Sequence, residues 1–291
     1  MIYYLLLLVS ISLTVCKSSI YNLYAKRAEP SLFSTFSFNT VAYGSAAAVA
    51  LVSLLVGGTM NVSVPTLILA LIYAGVVFSL QSVSIIAMRI GAMAQTAICV
   101  MYGMIIPALA GPIFWGEPFG TSQAIGIIMM LSSLWLLNDV KVKKAESASK
   151  KWWILAAVAF ALSGMAGLLE KIHQSTSGHG ERVEFVFVAC LFMLLISATA
   201  TLGTRGKGEL KIKPISALGA PAGIIIGIYS AVNLTLAGAL DSMIYYPVAN
   251  GGAMLLTVLV SLAVFKEAFD RKKLFGIILG VCGIVLLSIP V

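Results

Sequence analysis

The sequence repeats part of itself after 150 residues, which is about half the length of the 291-residue chain. The stretch EPFGTSQAIGIIMMLSSLWLL at 117–137 aligns without a gap to EAFDRKKLFGIILGVCGIVLL at 267–287. Glu117 thereby matches Glu267, and Gly126 matches Gly276. Each half holds an odd number of apolar segments, so the second copy must lie upside down relative to the first in a bilayer. The repeat therefore predicts two inverted halves, with a site between them near the membrane midplane.

The composition places these segments in lipid. Apolar residues make up 60% of the chain and charged residues only 10%, whereas a typical soluble domain has about 25% charged residues. Ten segments are long enough to cross roughly 30 Å of hydrocarbon. We therefore predict an all-α integral membrane protein with ten transmembrane helices arranged as two inverted five-helix repeats, at 1–138 and 152–291, joined by a cytoplasmic linker at 139–151. The segments, numbered 1 to 10, are 2–25, 31–56, 64–88, 91–115, 119–138, 152–172, 183–203, 214–239, 242–265 and 270–289.

The basic residues predict the orientation in the membrane. Of the 19 Lys and Arg residues, all but Lys17, Lys171 and Arg182 belong to the loops that follow the odd-numbered segments. The positive-inside rule places those loops in the cytoplasm and both termini outside it. The net charge of +8 then reflects loops beside anionic lipid headgroups and not a nucleic-acid surface. We expect a multi-pass monomer or homodimer in the plasma membrane, which is the inner membrane in a bacterium.

Lys17 is the polar residue that most needs an explanation. It lies about nine residues from the end of segment 1, roughly 13 Å inside by helical rise. A charge at that depth is costly and usually faces a cavity or a partner. An unpaired Lys in a cavity favours a carboxylate or phosphate group on a substrate. The alternatives are snorkelling toward the cytoplasmic headgroups and an internal partner.

Other polar residues recur at helical spacing within the apolar segments and form stripes. Amide and phenol groups can orient a polar substrate between apolar walls, and the alternative is hydrogen bonding between helices. The candidate substrate-binding residues are Lys17, Thr14, Tyr21, Gln81, Gln95, Tyr102, Tyr229, Asn233, Tyr246 and Asn250.

Segment 9 contains a candidate hinge. Pro247, followed by Gly251 and Gly252, can break the helix near the middle of the membrane, where freed backbone groups need protein or cavity water. A kink with only a packing role is the alternative. In segment 4, Pro107 and Pro112 are the candidates for the position of a kink.

The repeated ending resembles the EamA-type unit of the drug/metabolite transporter superfamily. That unit has a Glu at the turn, a Gly nine positions on and then an apolar helix, which matches Glu117 with Gly126 and again Glu267 with Gly276. The first copy departs from the pattern, because Ala97 stands at the position of Pro247. The resemblance covers both halves, and it implies ten helices and a secondary transporter that moves small metabolites by alternating access. It does not specify the metabolite.

The missing motifs narrow the function further. The sequence has no phosphate-binding glycine loop with its lysine, so we expect no ATP-driven motor and no cofactor. It has no nucleophile elbow or paired Glu/His motif, which argues against an enzyme. The alternatives to a permease are a lipid-linked carrier flippase and a non-transporting membrane partner subunit.

Two kinds of titratable residue carry expectations of their own. Glu117, Glu170, Asp241 and Glu267 all fall near the ends of predicted segments, which argues against coupling to protons through a buried carboxylate. His173 and His179 flank a Gly- and Ser-rich loop, for which we expect solvation and not a metal site.

Overall fold

In the computed structural model, every regular element of the described residues is a helix. The structure describes residues 2–29, 31–58, 61–90, 93–137, 150–176, 180–205, 212–265, 271–287 and 289. The helices are α1 (Ile2–Arg27), α2 (Leu32–Gly57), α3 (Val64–Ile90), α4 (Met93–Tyr102), α5 (Ile105–Trp115), α6 (Thr121–Leu137), α7 (Lys150–Thr176), α8 (Arg182–Gly203), α9 (Ile212–Ala239), α10 (Ser242–Phe265) and α11 (Arg271–Leu287). The all-helical prediction is confirmed. Most of the predicted linker at 139–151 lies outside the described residues.

The lengths and compositions of the helices identify a multi-pass membrane protein. Within the described residues, six helices are long and apolar enough to cross a bilayer: Ile2–Ala25, Leu32–Gly57, Val64–Ile90, Lys150–Thr176, Arg182–Gly203 and Ile215–Ala239. Large apolar side chains such as Val56, Ile113 and Phe114 are exposed on the outside of the bundle. In lipid such side chains cost nothing to expose, because the surrounding hydrocarbon is as apolar as they are.

Segment 4, predicted as one helix, is divided into α4 and α5. The backbone N–H groups of Gly103 and Met104 bond three residues back, to the carbonyl groups of Val100 and Met101, so the chain tightens there. A methyl group at Gly103 would come within 2.8 Å of the Phe160 carbonyl oxygen on α7, so the break coincides with a close approach between helices. Pro107 follows in the first turn of α5, where a helix tolerates a missing N–H group.

Segment 9, which contains the candidate hinge, is one continuous helix. The helix α10 runs from Ser242 to Phe265 with Pro247 inside it. Gly251 and Gly252 lie against Met130 of α6 and Ile11 of α1, so their missing side chains make room for neighbouring helices. The helix is therefore unbroken at Pro247 in this conformation. A hinge role for Pro107, Pro247, Gly251 and Gly252 during a motion stays a prediction.

The repeated sequence forms the contact between α6 and α11. A methyl group at Gly126 would lie 3.1 Å from the Gly283 carbonyl oxygen, and one at Gly283 would lie 3.0 Å from the Gly126 carbonyl oxygen. Further along the contact, Ser133 Oγ donates a hydrogen bond of 2.7 Å to the carbonyl oxygen of Gly276. Residue numbers therefore increase along α6 where they decrease along α11, so the two helices run antiparallel at close range.

A buried ion pair joins three parts of the chain at one end of the bundle. Lys171 Nζ on α7 lies 2.6 Å from Glu117 Oε1 in the connection between α5 and α6. Glu117 Oε2 also accepts a hydrogen bond of 2.6 Å from the backbone N–H of Ser242, the first residue of α10. The unpaired N–H groups of a helix N-terminus favour a carboxylate. Glu117 therefore caps α10, whereas its own following helix begins only at Thr121.

His173 lies at the same end of α7 and is buried there, not solvated. Its Nε2 atom lies 3.1 Å from Thr66 Oγ1 on α3. The expectation of a solvated loop is wrong for this residue, because α7 continues beyond the predicted end of segment 6 at 172; His179 lies outside the described residues. Next to this contact, hydrogen bonds from Thr66 and from the backbone and side chain of Ser63 hold the pKa of the Glu181 carboxyl below its usual range.

Candidate functional site

A cavity of about 180 Å³ lies inside the bundle. A single water molecule needs about 10–15 Å³, so the space is large enough for a small organic molecule. Apolar residues such as Val77, Leu80 and Ile226 form part of the wall. The polar and charged side chains on the wall include Thr14, Lys17, Tyr21, Tyr43, Tyr73, Gln81, Ser84, Glu170, Tyr229, Asn233, Tyr246 and Asn250, from α1, α2, α3, α7, α9 and α10.

Lys17 lies on the cavity wall and is positioned by α9. Because α1 ends at Arg27, Lys17 lies roughly 15 Å from that end by helical rise. Its Nζ atom is 4.0 Å from the centroid of the Tyr229 ring. The face of an aromatic ring attracts a cation, so this contact holds the ammonium group inside the bundle.

Glu170 places a carboxylate in the same cavity. The residue is 6% exposed, and Tyr73 Oη on α3 donates a hydrogen bond of 2.8 Å to its Oε1 atom. The sequence placed Glu170 near a helix end, and this is wrong, because α7 continues to Thr176, roughly 9 Å further by helical rise. The absence of a deep carboxylate was the argument against proton coupling, and that argument no longer holds.

The cavity therefore has two opposite charges on its wall. Lys17 and Glu170 attract each other electrostatically, but no ion pair within 4.0 Å joins them in the part of the chain that the structure describes. A buried charge is stabilised only when partners replace the water it has lost. A molecule that brings complementary charges to both groups would supply those partners.

The cavity brings together most of the predicted stripe residues. Thr14, Tyr21, Gln81, Tyr229, Asn233, Tyr246 and Asn250 all line it with Lys17. Some also bond between helices, which was the alternative interpretation. Ser10 Oγ on α1 donates a hydrogen bond of 2.6 Å to Asn233 Oδ1 on α9, and Tyr246 Oη on α10 donates one of 2.5 Å to the Gly167 carbonyl oxygen on α7.

Two predicted residues are not placed on the cavity wall. Tyr102 Oη donates a hydrogen bond of 3.0 Å to the carbonyl oxygen of Leu131, so it joins α4 to α6, and it is absent from the described lining. The helical spacing predicted a cavity position for Tyr102, but spacing along one helix cannot show that another helix, here α6, covers the side chain. The side chain of Gln95 lies outside the described residues.

Glu170, Tyr43 and Tyr73 are among the polar cavity residues that the sequence did not single out as substrate-binding. For Tyr73 a signal was available, because Tyr73, Val77 and Gln81 follow at four-residue spacing on one face of α3. For Glu170 the signal was hidden by the predicted end of segment 6. Tyr43 is the only polar cavity residue that α2 contributes in the described lining, although Thr35 and Asn39 precede it at four-residue spacing on the same helix.

Comparison with solved structures identifies the fold as a known one. A solved structure described only as "Crystal structure of protein" superposes with a TM-score of 0.77, over 98% of this chain and 96% of that chain. The two sequences are 15% identical, so the likeness shows a shared fold alone. In all, 29 chains of solved structures match. No protein-family model matches the sequence, and no curated protein matches it.

Proposed function

We propose that this protein is an EamA-type secondary transporter of the drug/metabolite transporter superfamily. In this proposal it moves a small polar metabolite across the plasma membrane by alternating access. The observation that carries the proposal is the internal cavity with Lys17 and Glu170 on its wall. Ionisable residues inside a membrane protein are costly and mark substrate or ion pathways.

The directions of the helices support two inverted halves. The repeat-bearing helices α6 and α11 run antiparallel. The helices α2 and α8, which occupy corresponding places in the two halves, show the same relation: Thr40 Oγ1 lies 3.0 Å from Thr201 Oγ1, and further along α2 Gly44 faces Leu194, further back on α8. Helices related by a two-fold axis in the membrane plane run in opposite directions. We propose ten membrane crossings, both termini outside the cytoplasm, and a rocking motion of the halves around the cavity.

The charges on the wall suggest the chemistry of the substrate. Lys17 favours a carboxylate or phosphate group, as the sequence predicts. Glu170 adds a preference for a cationic or hydrogen-bond-donating group, because a carboxylate only accepts hydrogen bonds when ionised. A small metabolite that carries both kinds of group satisfies both side chains.

The test is transport by the purified protein in proteoliposomes. The substrates are a panel of amino acids, organic acids and phosphorylated metabolites. We expect transport of at least one, and we expect Lys17→Ala and Glu170→Gln each to lower its initial rate at least tenfold. A hydrogen bond to a charged group is worth about 1.5–3 kcal/mol, and about 1.4 kcal/mol corresponds to a factor of ten.

Lys151→Ala is the matched control, because Lys151 is exposed at the start of α7, away from the cavity. Its transport rate should equal that of the wild type. An unchanged rate for Lys17→Ala contradicts the role of Lys17 in the cavity. Movement of a lipid-linked sugar without any soluble metabolite favours the flippase, and transport by the purified chain alone eliminates the partner-subunit alternative.

A further inference from the structure

Two tyrosine hydroxyl groups beside the cavity have no hydrogen-bond partner among the described residues. They are Tyr21 Oη on α1 and Tyr43 Oη on α2. Tyr21 is 5% exposed and Tyr43 is fully buried, and both side chains line the cavity. A buried polar group without a partner costs about 1–3 kcal/mol. Native proteins therefore pair nearly all such groups.

Other tyrosines on the same wall are paired. Tyr73 Oη donates to Glu170 Oε1 at 2.8 Å, and Tyr246 Oη donates to the Gly167 carbonyl oxygen at 2.5 Å. The wall thus offers partners where hydroxyl groups support the fold. Tyr21 and Tyr43 line the same cavity, but their hydroxyl oxygens are buried without a partner among the described residues.

The unpaired hydroxyl groups belong to the same region as Lys17. Tyr21 follows Lys17 by four residues on α1, so the two side chains share one helix face. Tyr43 lines the same cavity from α2. The Tyr21 ring is fixed by Phe38 in an edge-to-face contact with a centroid distance of 5.3 Å. An ammonium group and two phenol groups, all hydrogen-bond donors, therefore belong to residues that line one cavity.

We propose that Lys17, Tyr21 and Tyr43 form an oxyanion subsite, and that the two hydroxyl groups select substrates by the acceptor oxygens they offer. The subsite rests on the proposed function, because it assigns the anionic end of the transported metabolite. Ionised acceptors form shorter and stronger hydrogen bonds than neutral ones, so an oxyanion suits an ammonium group and two hydroxyl groups that lack partners. The Glu170 carboxylate repels the same group, because both carry negative charge.

The test removes one hydroxyl oxygen at a time. Tyr21→Phe and Tyr43→Phe keep the ring and delete only the unpaired group. The purified full-length chain is melted in detergent with sodium acetate, with inorganic phosphate and with chloride at equal ionic strength. We expect acetate or phosphate, but not chloride, to raise the melting temperature of the wild type, because a ligand that binds the folded state stabilises it. The more effective oxyanion distinguishes a carboxylate subsite from a phosphate subsite.

The Phe variants should separate binding from stability. We expect each to bind the effective oxyanion about 10- to 100-fold more weakly, the loss that corresponds to one hydrogen bond to a charged group. Without ligand, each should melt at the same temperature as the wild type or higher, because an unpaired hydroxyl group contributes nothing to the empty fold. Tyr24→Phe is the matched control. Its hydroxyl group donates to the Ser34 carbonyl oxygen at 2.6 Å and does not line the cavity, so this variant should melt lower and bind the oxyanion normally.

Equal oxyanion affinities of the wild type and both Phe variants overturn the subsite. Stabilisation by chloride as strong as by acetate and phosphate, or by none of the three, overturns it as well. These outcomes are separable from failure of the proposed function. Transport of a neutral metabolite without oxyanion binding eliminates the subsite alone, whereas oxyanion binding without any transport eliminates the transporter and keeps the subsite.

Discussion

The two halves of the chain share their packing residues and differ in their charged residues. Gly126 and Gly276 occupy equivalent positions and lie on helices that pack against each other. Lys17, in the first half, is equivalent to Gly167 in the second, and Glu170, in the second half, is equivalent to Ile20 in the first. The difference shows that the repeat supplies the scaffold, while each half supplies one charge to a cavity that is not symmetric.

The backbone also differs between the two halves, in segment 4 and in segment 9, its equivalent in the second half. In the first half it breaks at Gly103, and in the second half it continues through the equivalent Ala253 although Pro247 lies nearby. Proline alone therefore does not decide where this segment breaks. The break coincides with the contact with α7, whose Phe160 carbonyl oxygen and Ser163 side chain leave no room for a Cβ atom at Gly103.

The largest expected effect concerns Glu117 in the first half of the chain, whose carboxylate contacts Lys171 and Ser242 in the second half. Glu117→Ala leaves the Lys171 ammonium group uncompensated, and both side chains are largely buried, at 7% and 13% exposure. It also removes the cap of α10 at Ser242. Breaking a buried pair by removing one partner costs about 3–5 kcal/mol. We expect a fall of that size in the free energy of unfolding, measured by denaturation in detergent.

The companion variants are Lys171→Ala and the double variant. The double variant should lose less stability than the sum of the two single variants, because it leaves no unpaired charge. If Glu117→Ala is as stable as the wild type, the connection between the halves does not depend on this pair.

The next largest effect tests why segment 4 is broken at Gly103 while the equivalent segment 9 is continuous at Ala253. Gly103→Ala should lower the free energy of unfolding by about 1–3 kcal/mol, the usual cost of overpacking, since the added methyl group meets Ser163 Cβ at 2.7 Å. The mirror variant Ala253→Gly should cost about 1 kcal/mol from helix propensity. Thermal unfolding of both variants measures the difference. A harmless Gly103→Ala means that contact with α7 does not set the break.

The smallest expected effect tests whether Lys17 and Glu170, one from each half of the chain, interact with each other. Lys17→Met and Glu170→Gln, alone and combined, form a double-mutant cycle on unfolding. We expect a favourable coupling of about 0.5–1 kcal/mol, at the low end for interacting residues, because the two groups attract each other without a direct ion pair. Strict additivity shows that the charges are independent and that each serves its own end of the cavity.

Hydropathy and the repeat were sufficient to predict a helical membrane protein and the place of most helices. In lipid, each helix satisfies its own backbone hydrogen bonds, so a local pattern of apolar residues determines the element. The same logic identified Lys17, Tyr21 and Asn233, because a polar side chain in an apolar helix needs an interior surface or a partner.

The tertiary structure alone decided which of these polar residues meet. It assigned Tyr102 to a bond with α6, placed Glu170 on the cavity wall, and left the hydroxyl groups of Tyr21 and Tyr43, two other residues of that wall, without partners among the described residues. It also determined that the helix breaks at Gly103 and that the equivalent helix continues through Pro247. These outcomes depend on contacts between residues far apart in the chain, and a helical period carries no information about which neighbouring helix covers a given face.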